Sequence, residues 1–279
     1  MLRKSLTAAA LIAMTACYAG GYASLTAAQA ADQAPPMGGG YANVIAIPVD
    51  PADAADGKAI VGALIKPEGA GPFPTVVYIS GCAGLDLPAD KALQKALIGH
   101  LTAKGFATFV VDPYTPRKEA NGACGGDGIA PMARGARDIH AVLDVLPTIP
   151  EIDANRVFLQ GYSMGAASAL MASDSHAMAA HKVKVAGVVA FYPYCKLGTD
   201  FSVPTLVLIG DKDDLAPARY CQEIAGKPNL EVVVYPGATH AFAMPGQNVK
   251  FMGSQLTYDE KATQDAEQRV DAFIAAHMK

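Results

Sequence analysis

Charged side chains are scarce in this sequence. They make up 17% of its 279 residues, and 26 acids outnumber 22 lysines and arginines. That balance argues against a nucleic-acid partner, which would draw on a basic face. No Cys-x-x-Cys pair or clustered His/Cys spacing occurs, so nothing invites a zinc ion. There is no Walker A loop to cradle phosphates and no His-Glu-x-x-His helix. The glycines of 122–128 do not open a helix after a strand, so a dinucleotide fingerprint is not supported either. Internal repeats and blocks of like charge are also missing. Past the first thirty residues no apolar run approaches the ~20 residues that a bilayer span needs. What is there is a chain 51% apolar, enough to bury a sizeable core, with none of the biases of disorder, collagen or coiled coil.

The N-terminus reads as an export signal over residues 1–30. Arg3 and Lys4 form a positive start, an Ala/Leu-rich stretch runs over 6–16, and Ala28-Gln29-Ala30 is a small-x-small cleavage site. Gly20 and Gly21 break the apolar run, which argues against a membrane anchor. A rival processing site is a lipoprotein-like box ending in Cys17, which would become the lipidated residue. Losing residues 1–30 takes the net charge from −4 to −6. The expected location is the periplasm or the medium. Four cysteines then remain, Cys82, Cys124, Cys195 and Cys221, an even number that suits two disulfides in an oxidising compartment. Four cysteines allow three pairings, and parity does not choose among them.

Residues 31–42, rich in Pro, Gly and Ala, read as a flexible lead-in, and 43–279 as one domain. Strands are expected at 58–65 (a candidate hairpin with 44–49), 74–80, 106–112, 156–160, 185–192, 204–209 and finally 231–235. Helices are expected at 89–104, 132–146, from 163 onward, around 216–224 and at 260–277. Leu93, Leu97 and Leu101 share one helical face, as do Ala262, Ala266, Val270 and Phe273. Strands separated by helix-length segments imply right-handed crossovers and an α/β fold with a mostly parallel sheet of about eight strands.

The strongest local motif is Gly161-Tyr162-Ser163-Met164-Gly165, placed where an apolar strand runs straight into a helix. A serine on that sharp turn has its hydroxyl exposed at a helix N-terminus, where developing negative charge is favoured. A serine hydroxyl is a poor nucleophile near neutral pH, so it needs a base, and the base an orienting acid. Of six histidines only His240 follows the last expected strand in a loop. His100, His140 and His277 fall on helices, and His176 and His181 come too early in the chain. The acid belongs after the strand ending at Ile209, where Asp211, Asp213 and Asp214 are all candidates. Two backbone N–H groups should form an oxyanion hole: that of Met164, and that of Cys82 in the loop Ser80-Gly81-Cys82-Ala83-Gly84. Tyr162, Tyr192 and Tyr194 read as packing at strand ends, and Arg117 as a surface arginine rather than a carboxylate binder.

In order, the segments SGCAGLD, DPYTPR, GYSMG, FYPYC, LIGDKDDLAP and YPGATHAFAMPG resemble the dienelactone hydrolase family of α/β hydrolases, in particular its exported, cysteine-containing relatives. The resemblance runs from about residue 58 to the C-terminus and implies the α/β-hydrolase fold. In that family the acid is the Asp of a Gly-x-x-Asp turn with a downstream proline. Gly210-Asp211-Lys212-Asp213 with Pro217 matches, which selects Asp213. The resemblance also implies the disulfides Cys82–Cys124 and Cys195–Cys221. The namesake enzymes carry a cysteine nucleophile where this chain has Ser163, and a His-Gly where it has Ser80-Gly81. Ordinary carboxylic esters are therefore the expected substrates, hydrolysed through Ser163, His240 and Asp213 without a cofactor. A thioesterase or polyester hydrolase would use the same residues, and a non-catalytic binding protein on this fold is the alternative outside enzymology.

Overall fold

The computed structural model describes residues 36–53, 59–119, 122–124, 129–173, 178, 180–196 and 200–278. The expected signal peptide with Cys17, and His176, lie outside them.

Eight strands form one sheet. They are β1 (Val44–Ile47), β2 (Ile60–Ile65), β3 (Phe73–Ile79), β4 (Ala107–Asp112), β5 (Ile152–Tyr162), β6 (Val185–Phe191), β7 (Thr205–Gly210) and β8 (Leu230–Tyr235). Their spatial order is β1-β2-β4-β3-β5-β6-β7-β8. β1 pairs antiparallel with β2, and β2 antiparallel with β4 (Val61 opposite Asp112). From β4 to β8 every pairing is parallel. This is the mostly parallel α/β sheet expected from the alternation of apolar runs, in the α/β-hydrolase arrangement that the resemblance implied.

Parallel strands need crossovers, and here α1 (Pro88–Ala103), α2 (Ala130–Val145), α3 (Met164–Ala172) and α4 (Arg219–Glu223) lie on them, while α5 (Glu260–His277) comes after β8. Alternate side chains of each strand feed opposite faces. Val77 and Ile79 of β3, and Val157 and Leu159 of β5, join Ile139 and Leu143 of α2 and Leu170 of α3. Val76, Tyr78 and Phe158 point the other way, into Leu93 and Leu101 of α1 and Val270 and Phe273 of α5. Both faces are covered, which is why the central strands read as continuous apolar runs rather than alternating ones. Asp259 caps α5, its side chain accepting from the Ala262 N–H at 3.0 Å.

Three features depart from the sequence reading. After β8, expected to be the last strand, a two-stranded ribbon follows outside the sheet: β9 (Asn248–Phe251) and β10 (Ser254–Thr257), antiparallel, with Phe251 opposite Ser254. The Gly-rich stretch before β1 makes a tight 3-10 turn at Gly38–Gly40 whose amides dock on acids: Gly38 N–H donates to Asp112 at 2.6 Å and Gly39 N–H to Asp86 at 3.1 Å. Arg117 is not on the surface. It is buried in a bidentate pair with Asp138 of α2, at 2.7 Å on both oxygens, and also donates to the Asp53 and Pro113 carbonyls. A buried guanidinium requires such full pairing.

Among the described residues no helix is long and apolar enough to cross a membrane.

Candidate active site

β5 ends at Tyr162 and α3 begins at Met164, leaving Ser163 alone to make the turn. Its φ of 52° and ψ of −118° lie in a region that L-residues seldom occupy. The strain is held by tight packing around it. A Cβ added to Gly165 would sit 2.3 Å from the Ser80 carbonyl oxygen and 2.7 Å from that of Ile79. Only glycine lets the start of α3 approach the end of β3 this closely.

Two further strand ends bring in the partners. Gly210 closes β7, and Asp213 follows in the next turn. Its Oδ1 accepts the N–H groups of Leu215 at 3.0 Å and Ala216 at 2.7 Å, while Oδ2 faces His240 Nδ1 at 2.7 Å. His240 sits in the loop after β8, and its Nε2 lies 2.8 Å from Ser163 Oγ. The carboxylate can only accept, so Nδ1 carries the proton and Nε2 is left to accept from the serine hydroxyl. Ser163, His240 and Asp213 thus form one unbroken hydrogen-bonded chain across the carboxyl ends of β5, β8 and β7. Asp213 and His240 are both buried. Tyr192 closes the other side of the imidazole, edge-on with ring centroids 4.9 Å apart.

The neighbouring acids do other things. Asp211 accepts the Gly237 N–H at 2.7 Å, tying the loop after β7 to that after β8, and Asp214 is exposed. The remaining described histidines are engaged elsewhere. His100 faces Asp271 at 2.8 Å, His140 and His181 contact each other at 2.8 Å, and His277 lies against Phe273.

The turn after β3 lies against Ser163: a Cβ added to Gly81 would be 3.5 Å from the serine Cβ. Cys82 and Met164 both line the cavity over Ser163, and among the described residues neither N–H donates to a backbone acceptor. Cys82 is bonded to Cys124, and Cys195 to Cys221, the two pairings that the resemblance implied. The first is reinforced: Ala123 N–H donates to the Cys82 carbonyl at 2.7 Å, and a Cβ on Gly122 would overlap that same oxygen. The loop carrying Cys82 is therefore held by a covalent bond and a hydrogen bond, at an approach that requires glycine at position 122.

The cavity has a volume of about 360 Å³. Ser163 and His240 are on its wall with Tyr162, Tyr192 and Tyr194, so the three tyrosines line the pocket as well as packing at strand ends. Sequence reasoning missed several wall residues. One is Asp90, in the first turn of α1, which is 1% exposed, with an Oδ2 that has no hydrogen-bond partner. Burial pushes its carboxyl up to about 7. Burial likewise pushes the phenols of Tyr78 and Tyr192 well above their ordinary value. Val249, Phe251, Met252 and Leu256 of the β9–β10 ribbon complete the wall. The signal for that ribbon was present as two short alternating segments around a Met-Gly turn. Among the described residues no group of three or more His, Cys, Asp or Glu side chains is disposed to hold a metal ion.

Solved structures with this architecture include a dienelactone hydrolase-like promiscuous phosphotriesterase from metagenomic libraries. It is 19% identical with a TM-score of 0.67, over 85% of this chain and 98% of that one. A dienelactone hydrolase from Anabaena variabilis is 20% identical with a TM-score of 0.59, over 85% of this chain and 98% of its own. A thermophilic esterase from Thermogutta terrifontis, in a propionate-bound structure, is 15% identical with a TM-score of 0.55, over 79% and 90%. Among curated proteins, a Mycobacterium tuberculosis chain named "Putative phosphoribosyl transferase" is 34% identical over 153 residues, 52% of this chain. The match spans only 32% of that relative's length. The profile of the dienelactone hydrolase family matches residues 60–278. This chain is a member of the dienelactone hydrolase family of α/β hydrolases.

Proposed function

We propose that this protein is a serine hydrolase of carboxylic esters that works through an acyl-enzyme. The observation that carries the reading is the continuous contact from Ser163 Oγ through His240 to Asp213, with both links under 3 Å, on the wall of an apolar cavity. Ser163 Oγ attacks the ester carbonyl carbon while its proton passes to His240 Nε2. The carbonyl π pair moves onto oxygen, and the Met164 and Cys82 N–H groups receive that oxyanion. Collapse of the tetrahedral species breaks the bond to the alkoxy oxygen, which leaves as the alcohol with the proton from Nε2. Water then attacks the acyl carbon, gives a proton to the same nitrogen and releases the acid as Ser163 recovers its hydrogen. Asp213 holds the ring and stabilises its charged form throughout. None of these steps calls for a cofactor.

The test pairs a fluorophosphonate probe with p-nitrophenyl acetate. Wild type is labelled and turns the ester over, whereas Ser163→Ala does neither. Equal labelling of the two proteins defeats the assignment.

The two disulfides support a site of action in the periplasm or outside the cell, with residues 1–30 as the export signal. N-terminal sequencing of the exported protein checks this: a start at Ala31 fits, and a lipid-modified Cys17 points to the lipoprotein route instead.

A further inference from the structure

Four large apolar side chains stand out in water among the described residues: Leu87 at 48% exposure, Ile129 at 50%, Val249 at 47% and Met252 at 70%. Scattered single cases would need no explanation. These are not scattered. Leu87, Val249 and Met252 all line the cavity that holds Ser163 and His240. Ile129 is the residue before α2, whose Pro131 and Met132 line it too. Leu87 comes from the loop before α1, and Val249 and Met252 from the β9–β10 ribbon, so two separate places in the chain bring exposed apolar side chains to one cavity.

The ribbon shows this most directly. Val249 is opposite Leu256, so the two share a face, and Phe251 falls on the same side by the two-residue period. That face lines the cavity, while Lys250 and Gln255 take the other face. The ribbon turns through Met252-Gly253, both with positive φ, 48° and 86°. A two-residue hairpin tip of this kind favours Asn, Asp or Gly at its first position. Methionine is a poor choice there for the turn and a poor choice for solvent. Folding explains neither its backbone nor its exposure, whereas contact with an apolar ligand at the cavity mouth explains its presence.

We infer that this apolar collar receives the hydrocarbon portion of an ester, so that the preferred substrates are medium- and long-chain acyl esters. This rests on the serine esterase reading above. The ester group sits at Ser163, and the acyl chain runs along the cavity wall across Leu87, Val249 and Met252. Continuity points to this occupant: Leu87, Val249 and Met252 line the same cavity as Ser163 and His240.

The experiment compares kcat/KM on p-nitrophenyl octanoate with that on p-nitrophenyl acetate for wild type, Met252→Asn and the double variant Leu87→Ser/Val249→Ser. The wild-type ratio should exceed one. It should fall ~5–10-fold in each variant, as expected for losing partly buried apolar contacts. Met252→Asn keeps the test sound, because Asn suits a positive-φ turn and should hold or raise the melting temperature. A wild-type ratio below one, or a ratio unmoved in a folded Met252→Asn, overturns the proposal. So does light scattering that finds a dimer split by Met252→Asn with the ratio unchanged, which would make the collar a contact between copies. A wild type that is inert on acetate and unlabelled by fluorophosphonate removes the esterase reading itself. Activity on acetate with an insensitive ratio removes only the collar.

Discussion

Asp213 Oδ1 is held by two backbone N–H groups, and this decides which of its oxygens His240 can have. The amides of Leu215 and Ala216 take Oδ1, leaving Oδ2 for His240 Nδ1 at 2.7 Å. In Asp213→Asn the amide oxygen is drawn to the same two N–H groups, which turns the NH₂ toward the imidazole. Nδ1 must then accept, the proton moves to Nε2, and His240 can no longer take one from Ser163. The expected result is a ~10³–10⁴-fold loss in kcat with a near wild-type melting temperature. Steady-state kinetics and thermal melts together check it, and a loss under tenfold would remove Asp213 from the proposed role.

Gly165 and the Ser80 carbonyl are in contact at a distance only glycine permits, since a Cβ would lie 2.3 Å from that oxygen. Both neighbouring obstacles are backbone, so neither can swing aside. Gly165→Ala should cost about 1–3 kcal/mol of stability by overpacking. It should also push the turn at Gly81–Cys82 away from Ser163 and lower kcat more than it raises KM. Denaturant midpoints and kinetics measured on the same preparation separate the two effects. Wild-type values in both would show that α3 shifts without disturbing the turn.

How much was legible beforehand follows from how local each signal is. The strand-to-helix alternation, the turn at Ser163 and the loop at His240 are each written within a few consecutive residues, and the helical faces of α1 and α5 within four-residue spacings. Residue pattern alone left Asp211, Asp213 and Asp214 open after β7, and it was the family resemblance that selected Asp213, the acid whose Oδ2 faces the imidazole. Arg117 was misread because its partner, Asp138, lies on a helix 21 residues on, and composition alone favours an exposed arginine. The β9–β10 ribbon escaped because its four-residue strands carry a single apolar face diluted by Asn, Lys, Gln and Thr. Asp90 carries no local signal of burial, because an acid in the first turn of a helix is placed where negative charge is welcome. Only the fold reveals that it is buried.

The Cys82–Cys124 bond closes a stretch with a sequence separation of 42 and fixes the loop proposed to offer an oxyanion donor. Cross-links of this span stabilise by about 2–4 kcal/mol. Cys82→Ser/Cys124→Ser should therefore melt earlier and lose kcat/KM as the Cys82 N–H wanders. Removing Cys195–Cys221, which joins the loop after β6 to α4, should lower the melting temperature with a smaller loss of kcat/KM. Equal losses of activity in the two double variants would mean that the first bond has no special tie to the site.

Asp90 gives the pH dependence a definite sign. Its carboxyl is pushed up to about 7 by burial, whereas in the unfolded chain it titrates near ~3.9. Between those values the folded state keeps a proton that the unfolded state has released. Stability therefore declines as pH rises from about 4 to about 7, and the full penalty is present above that. Asp90→Asn is neutral at every pH and nearly the same shape. It should match wild type near pH 4, where both side chains are uncharged. At pH 8 it should be more stable by up to ~4 kcal/mol, the free energy that separates ionisation near ~3.9 from ionisation at about 7. Urea unfolding at pH 4 and pH 8 measures the difference. Stability curves for the two proteins that run parallel from pH 4 to 8 would mean that Asp90 ionises in the fold without penalty.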